Sequence, residues 1–192
     1  MKYRHEPAIG LLEFSSIALG IDALDRLLKE ASVRALFARP VSPGKYIALF
    51  TGDVEDVTSS LRVGAGVGGD AIVDRLLIPS VAPQVLEALD RPTRCGEIDA
   101  LGVVETTTVA AAIRAADVAA KRAAIRLIEL HLAQGIGGKS YFTLTGPIDE
   151  VESAVTAAAA LAESESRLVG RTVIARVHPD LRAALESHER PI

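Results

Sequence analysis

The chain has 192 residues, 49% of them apolar and only 4% aromatic, so it is long enough to bury a core whose Ala-rich elements must pack closely. A formal net charge of −4, with charges interspersed along the chain, excludes the basic footprint of a nucleic-acid binder. No apolar run reaches the roughly 18 residues of a membrane-spanning helix. The start, MKYRHEPAIG, carries no apolar segment of the kind that a secretory signal needs. The single cysteine, Cys95, permits neither an intramolecular disulfide nor a CxxC metal site. Together these features read as a soluble cytosolic protein.

In chain order, AIGLLEF from Ala8 is a short apolar run and reads as a strand. ALGIDALDRLLKEA from Ala18 has apolar residues at helical spacing and reads as an amphipathic helix. VRALFARP from Val33 is a second strand, VSPG from Val41 a turn, and KYIALFTG from Lys45 a third strand. DVEDVTSSLRVGAG from Asp53 reads as a helix with Asp53 as its N-cap and acidic residues in its first turn. AIVDRLLIP from Ala71 is a fourth strand, and APQVLEALD from Ala82 a short closing helix. The order β-α-β-β-α-β is the split βαβ, or ferredoxin-like, arrangement: an α+β unit with a four-stranded sheet and two helices on one face.

The chain then repeats this unit. ALGVVETTTVAAAIRAADVAAKRAAIRLI from Ala100 matches AIGLLEFSSIALGIDALDRLLKEASVRAL from Ala8. Gly10 meets Gly102, Glu13 meets Glu105, Asp25 meets Asp117, and Lys29 meets Lys121. GKSYFTLTGPIDEV from Gly138 matches GKYIALFTGDVEDV from Gly44, and IARVHPDLRAAL from Ile174 matches IPSVAPQVLEAL from Ile78. The expected organisation is a first domain over residues 7–90, a polar linker over 91–99 and a second domain over 100–188.

Four sequence features invite other functions. AQGIGGKS, Ala133–Ser140, fits the loose phosphate-loop pattern of an NTPase. A phosphate loop must open a helix, however, and SYFTLTG after Lys139 has strand composition, so the segment reads as the tip of a hairpin. GAGVGG, Gly64–Gly69, has dinucleotide-loop spacing but follows a helix and precedes a strand, so it reads as a glycine-rich helix stop and connector. His5, His131, His178 and His188 show no metal-ligand spacing, and Ser15, Ser16 and Thr106–Thr108 read as helix-capping residues. No catalytic constellation stands out, which points away from an enzyme. A ferredoxin-like small-molecule-binding regulatory protein is the alternative that the fold leaves open.

The two copies resemble the bacterial microcompartment (BMC) shell-protein domain. The opening strands and Lys-bearing helices, the PGKYIALFTGDVEDV and GGKSYFTLTGPIDEV segments and VIARVH at Val173–His178 carry the resemblance. Both copies run in the ordinary rather than the permuted element order, similar to the tandem-domain trimeric class. That resemblance implies a homotrimer whose six domains form a pseudohexameric tile in a cytoplasmic microcompartment shell. Its edges would meet other shell proteins, hexamers and pentamers, and its face would meet enclosed enzymes. It implies a central pore lined by Ser42, Pro43 and Gly44 from copy one and Ile136, Gly137 and Gly138 from copy two, passing small polar metabolites. It implies tile-edge contacts by Lys29, Lys121, Arg176 and His178; copy one has Ser80 and Ala82 where the second has Arg176 and His178. Some tandem members hold an iron–sulfur cluster through cysteine at the pore. Here Cys95 falls in the linker and the aligned position reads as Ala112, so no cofactor and no metal are expected.

Overall fold

The computed structural model describes residues 7–90 and 98–186; Cys95, His5 and His188 lie outside them. The first half contains β1 (Ala8–Phe14), α1 (Ile17–Glu30), β2 (Arg34–Val41), β3 (Lys45–Gly52), α2 (Val54–Gly68), β4 (Ile72–Ile78) and α3 (Pro83–Asp90). The second contains β5 (Ala100–Thr106), α4 (Val109–Arg122), β6 (Arg126–Leu132), β7 (Ser140–Gly146), α5 (Ile148–Ser164), β8 (Leu168–Ile174) and α6 (Pro179–Glu186). Each half builds a four-stranded antiparallel sheet, in the orders β2-β3-β1-β4 and β6-β7-β5-β8. The ferredoxin-like topology read from the sequence is therefore the topology of both halves.

Local chemistry explains the helix starts. The Ser16 hydroxyl accepts the Leu19 N–H at the head of α1, and the Thr108 hydroxyl accepts the Ala111 N–H at the head of α4. Asp53 sits at the N-cap position of α2 but makes no side-chain capping bond; Glu55 and Asp56 supply the negative charge at that end.

The glycine-rich segment Gly64–Gly69 does stop α2, but it is helical through Gly68 and is not a connector. Gly64, Gly66 and Gly68 all lie inside α2, which stops at Gly69, where φ reaches +47°. Gly64 is needed for close approach: a Cβ there would lie 2.6 Å from Leu12 Cδ1 and 3.0 Å from Leu27 Cδ2. Sequence alone carries the helix to Gly66; α2 runs on through Gly68, where a Cβ would lie 2.7 Å from Phe14, so close packing outweighs glycine's low helix propensity.

The largest core cluster runs across the two halves. It joins Ile9, Leu11 and Leu76 of the first sheet to Val109, Ala112, Ile113 and Ala116 of α4. Small side chains on α4 let the helix lie close against its neighbours, and the two domains share this cluster, while a second around Phe14 and Phe50 stays in the first domain and a third around Ile98 and Ile128 in the second.

Candidate functional site

Two regions stand out, the paired hairpin loops and the seam between the domains. The Ser42–Gly44 turn joins β2 to β3, and the longer Ala133–Lys139 loop joins β6 to β7. The two loops touch. The Gly135 N–H donates to Ser42 Oγ at 3.3 Å. A Cβ on Gly138 would lie 2.8 Å from Pro43 Cδ and 3.2 Å from the Ser42 carbonyl oxygen. The longer loop reverses through left-handed backbone at Ala133, Gly135, Gly137 and Gly138, with φ of 56°, 76°, 66° and 85°. Arg39, the Ser42–Gly44 turn and Gln134 line an open hollow beside this contact.

At the foot of each loop stands an ion pair. Lys45 Nζ lies 2.9 Å from Glu13 Oε1, and Glu13 is fully buried. Lys139 Nζ lies 3.0 Å from Glu105 Oε1, and there the two side chains are 50% and 36% exposed. Lys139 thus ends a hairpin loop and neutralises a carboxylate; it does not precede a helix, which removes the phosphate-loop geometry.

The difference in burial comes from the seam. Glu13 Oε2 accepts the Val109 N–H at 3.0 Å, and Asp74 Oδ2 accepts the Thr108 hydroxyl at 2.6 Å, so two carboxylates of the first domain take the first turn of α4. Arg114 on α4 reaches Asp74, the Arg75 carbonyl and Glu165, and Arg167 lies 3.7 Å from Asp74. At the other end of α4, Asp117 Oδ1 accepts the Ala82 N–H at 2.8 Å, while Lys121 pairs with Asp117 Oδ2 and donates to the Ser80 carbonyl. The Gln84 amide donates to the Ile125 carbonyl and accepts the Leu127 N–H, closing the edge of β6.

The BMC domain model matches the chain twice, over residues 8–81 and 100–177. The protein is 40% identical over 174 residues to the bacterial microcompartment shell protein PduT of Citrobacter freundii, which covers 91% of this chain and 95% of that one.

The chain belongs to the BMC domain family.

A second shell protein, PduK of Salmonella typhimurium, is 40% identical over 76 residues, 40% of this chain and 47% of its own length. Among solved structures, a microcompartment protein from Desulfitobacterium hafniense superposes with a TM-score of 0.84 at 45% identity, covering 92% of this chain and 98% of that one. The fused permuted hexameric shell protein MSM0275 shares the fold, with a TM-score of 0.63 at 23% identity over 84% of each chain. As a tandem BMC-domain protein the chain is a structural shell component of a bacterial microcompartment. The family is structural rather than enzymatic.

Within the two BMC domains, the residues singled out by sequence fall into distinct places. Pro43, Gly44 and Gly137 are exposed at the loop tips, Ser42 and Ile136 are half-buried, and Gly138 is buried between the loops. Lys29 is exposed at the end of α1, paired with Asp25. Lys121 occupies the corresponding place on α4 but lies against Ser80 at the domain seam. Arg176 and His178 are exposed after β8. Ala112 is fully buried on α4 in the shared core, so it is not a loop position and carries no information about a ligand held by the loops. Among the described residues, no three His, Cys, Asp or Glu side chains gather as a metal site, and no helix is long and apolar enough to cross a membrane.

Sequence reasoning missed one cluster. His131 stacks on Tyr141 with ring centroids 5.1 Å apart, its Nε2 lies 2.7 Å from the Gln134 carbonyl oxygen, and the Tyr141 hydroxyl donates to Glu129 Oε2 at 3.1 Å. Burial, then the charge and hydrogen bond of Glu129, push the Tyr141 phenol well above its ordinary pKa. The signal was the Glu-x-His alternation on β6, which places both side chains on one face, beside the register partner of His131 on β7.

Proposed function

We propose that three copies of this protein close into a ring of six BMC domains, a pseudohexameric shell tile with a central pore. One observation carries the reading: α4 is buried by the first domain, but the same face of α1 is open. Val109, Ile113 and Ala116 are fully buried. Their counterparts on α1 include Ile17, 37% exposed, and Ile21, 53% exposed. On the second sheet Val169, the counterpart of Val73, is 40% exposed. The contact between domains is heterologous, with one face meeting a different face, and each chain retains one unfilled copy of both. Repeating such a contact yields a closed ring when the rotation permits. Six similar units from two-domain chains require three chains.

In that ring, Ser42, Pro43, Gly44, Ile136, Gly137 and Gly138 line the pore, and the glycines bring backbone N–H groups to its wall. Such a lining favours small polar metabolites. Arg176 and His178, with Lys29 and Lys121, mark the rim where neighbouring domains and neighbouring tiles, including other shell proteins, meet. We assign the protein no catalytic activity, cofactor or metal; stoichiometric iron and sulfide after anaerobic purification contradicts that. Native mass spectrometry tests the ring: the expected mass is three times the 20.2 kDa chain, in particles that pack as flat sheets by electron microscopy. A monomer at all concentrations overturns the reading.

A further inference from the structure

The clasp that ties α4 to the first domain has a second, empty copy. Within the chain, Asp117 accepts the Ala82 N–H and Lys121 donates to the Ser80 carbonyl. The residues at those helical positions on α1 are identical in kind, Asp25 and Lys29, paired in the same i,i+4 geometry. They stand in solvent, at 58% and 73% exposure. The backbone groups that correspond to Ser80 O and Ala82 N are the carbonyl of Arg176 and the N–H of His178, and both residues are exposed after β8. Both halves of a clasp are therefore exposed within one chain.

We propose that Asp25 and Lys29 grip the backbone of residues 176–178 of a second copy of this chain, as Asp117 and Lys121 grip residues 80–82 within it. The inference rests on the ring reading and gives Lys29, at the tile rim, a bond inside the tile as well. The match is one of backbone groups, so it does not require Arg176 to resemble Ser80. The helix side of the joint is the same in both copies. The neighbouring support is poorer between chains. Gln84 both donates and accepts at the edge of β6. Its counterpart, Asp180, can accept the Ala35 N–H but as a carboxylate cannot donate to the Val33 carbonyl. With that bond missing, Asp25 and Lys29 carry a larger share of the joint between chains.

The test is sedimentation equilibrium on wild type, the double variant Asp25→Ala/Lys29→Ala, and Lys121→Ala, with circular dichroism as the folding check. Asp25 and Lys29 are exposed in the single chain, so their removal leaves the protomer folded. The expected result is a wild-type trimer and a double variant whose trimer dissociates at protomer concentrations at least about tenfold higher, since charge-assisted hydrogen bonds are lost. Lys121→Ala should remain trimeric but unfold at lower urea. A double variant that trimerises like wild type overturns the clasp while leaving the ring intact, and loss of sheets with trimers preserved does the same. A monomeric wild type overturns the ring and the clasp together.

Discussion

Glu13 and Asp74 are register partners on β1 and β4, and both carboxylates close on the first turn of α4. Between them they satisfy the Val109 N–H and the Thr108 hydroxyl, and they place negative charge at the positive end of the helix. In the second domain the same register pairs Glu105 with Gly170, so only one carboxylate is present. The second domain thus presents only one of the two carboxylates that the first domain sets against α4.

Removal of Glu13 is expected to be severe. Glu13→Ala leaves Lys45, only 19% exposed, without its counter-ion and orphans the Val109 N–H. A cost of about 3–5 kcal/mol is expected for breaking a buried pair from one side. Glu105→Ala removes a solvent-screened pair and should cost under about 1 kcal/mol. Urea unfolding of dilute protomers checks the contrast, and equal costs for the two variants would show that burial of Glu13 is not what matters.

The loops offer a second contrast. Gly137 and Gly138 both have positive φ, but only Gly138 faces a neighbour, with Pro43 Cδ 2.8 Å from a Cβ built there. Gly137→Ala should cost about 1–2 kcal/mol from backbone strain alone. Gly138→Ala should cost about 1–3 kcal/mol more, because it also drives the two loops apart. In assembled shells, a bulky residue at Gly137 should change metabolite flux without unfolding the tile. Unchanged flux argues against a pore wall at this position.

The repeat made the fold legible. Strands and helices were readable because each copy alternates apolar runs with amphipathic ones, and agreement between the copies fixed ambiguous turns such as VSPG and AQGIGG. The helical state of Val67 and Gly68 was not legible, because propensity favours a break after Gly66 and the packing of Gly68 against Phe14 and Ile72 reverses it. The exposed Lys29 and the seam-bound Lys121 read alike in sequence, since the same Asp-x-x-x-Lys spacing serves both. What separates them is a partner 41 residues away along the chain but adjacent in space: the carbonyl of Ser80 is present for Lys121. The His131–Tyr141 stack depends on cross-strand register, which the inserted loop between β6 and β7 obscured.

Tyr141 predicts alkaline behaviour. Its phenol is half-buried and bonded to Glu129, both of which disfavour the phenolate and raise its folded pKa. The neutral phenol is therefore favoured in the fold. Its contribution is fully present below the unfolded value of about 10 and is lost as pH rises through the folded value. Stability should fall with pH above about 10, and Tyr141→Phe should flatten that fall. The chain has three tyrosines and no tryptophan, so tyrosinate absorbance reports the titration directly. The last step should vanish in Tyr141→Phe; its persistence would assign it to Tyr46, whose pKa burial also raises.

The asymmetry of the seams predicts a gain as well as losses. Inside the chain, Arg114 meets Asp74. By the alignment of the two copies, the corresponding residues between chains of the proposed ring are Asp22 on α1 and Gly170 on β8. Gly170→Asp alone should weaken the trimer, because the new carboxylate faces Asp22 of the next copy and lies opposite Glu105. Asp22→Arg alone places a cation opposite a residue with no charge and forfeits its exposed pair with Arg26. Together the two recreate the Arg114–Asp74 pair across the joint between chains. A Cβ at Gly170 meets no atom within 4 Å, so the carboxylate can be accommodated. The double variant should hold its trimer at lower concentration than either single variant, with a coupling of about 0.5–3 kcal/mol in the double-mutant cycle. Sedimentation equilibrium on all four proteins measures that coupling. A value of zero would mean that Asp22 and Gly170 do not face one another in the assembly.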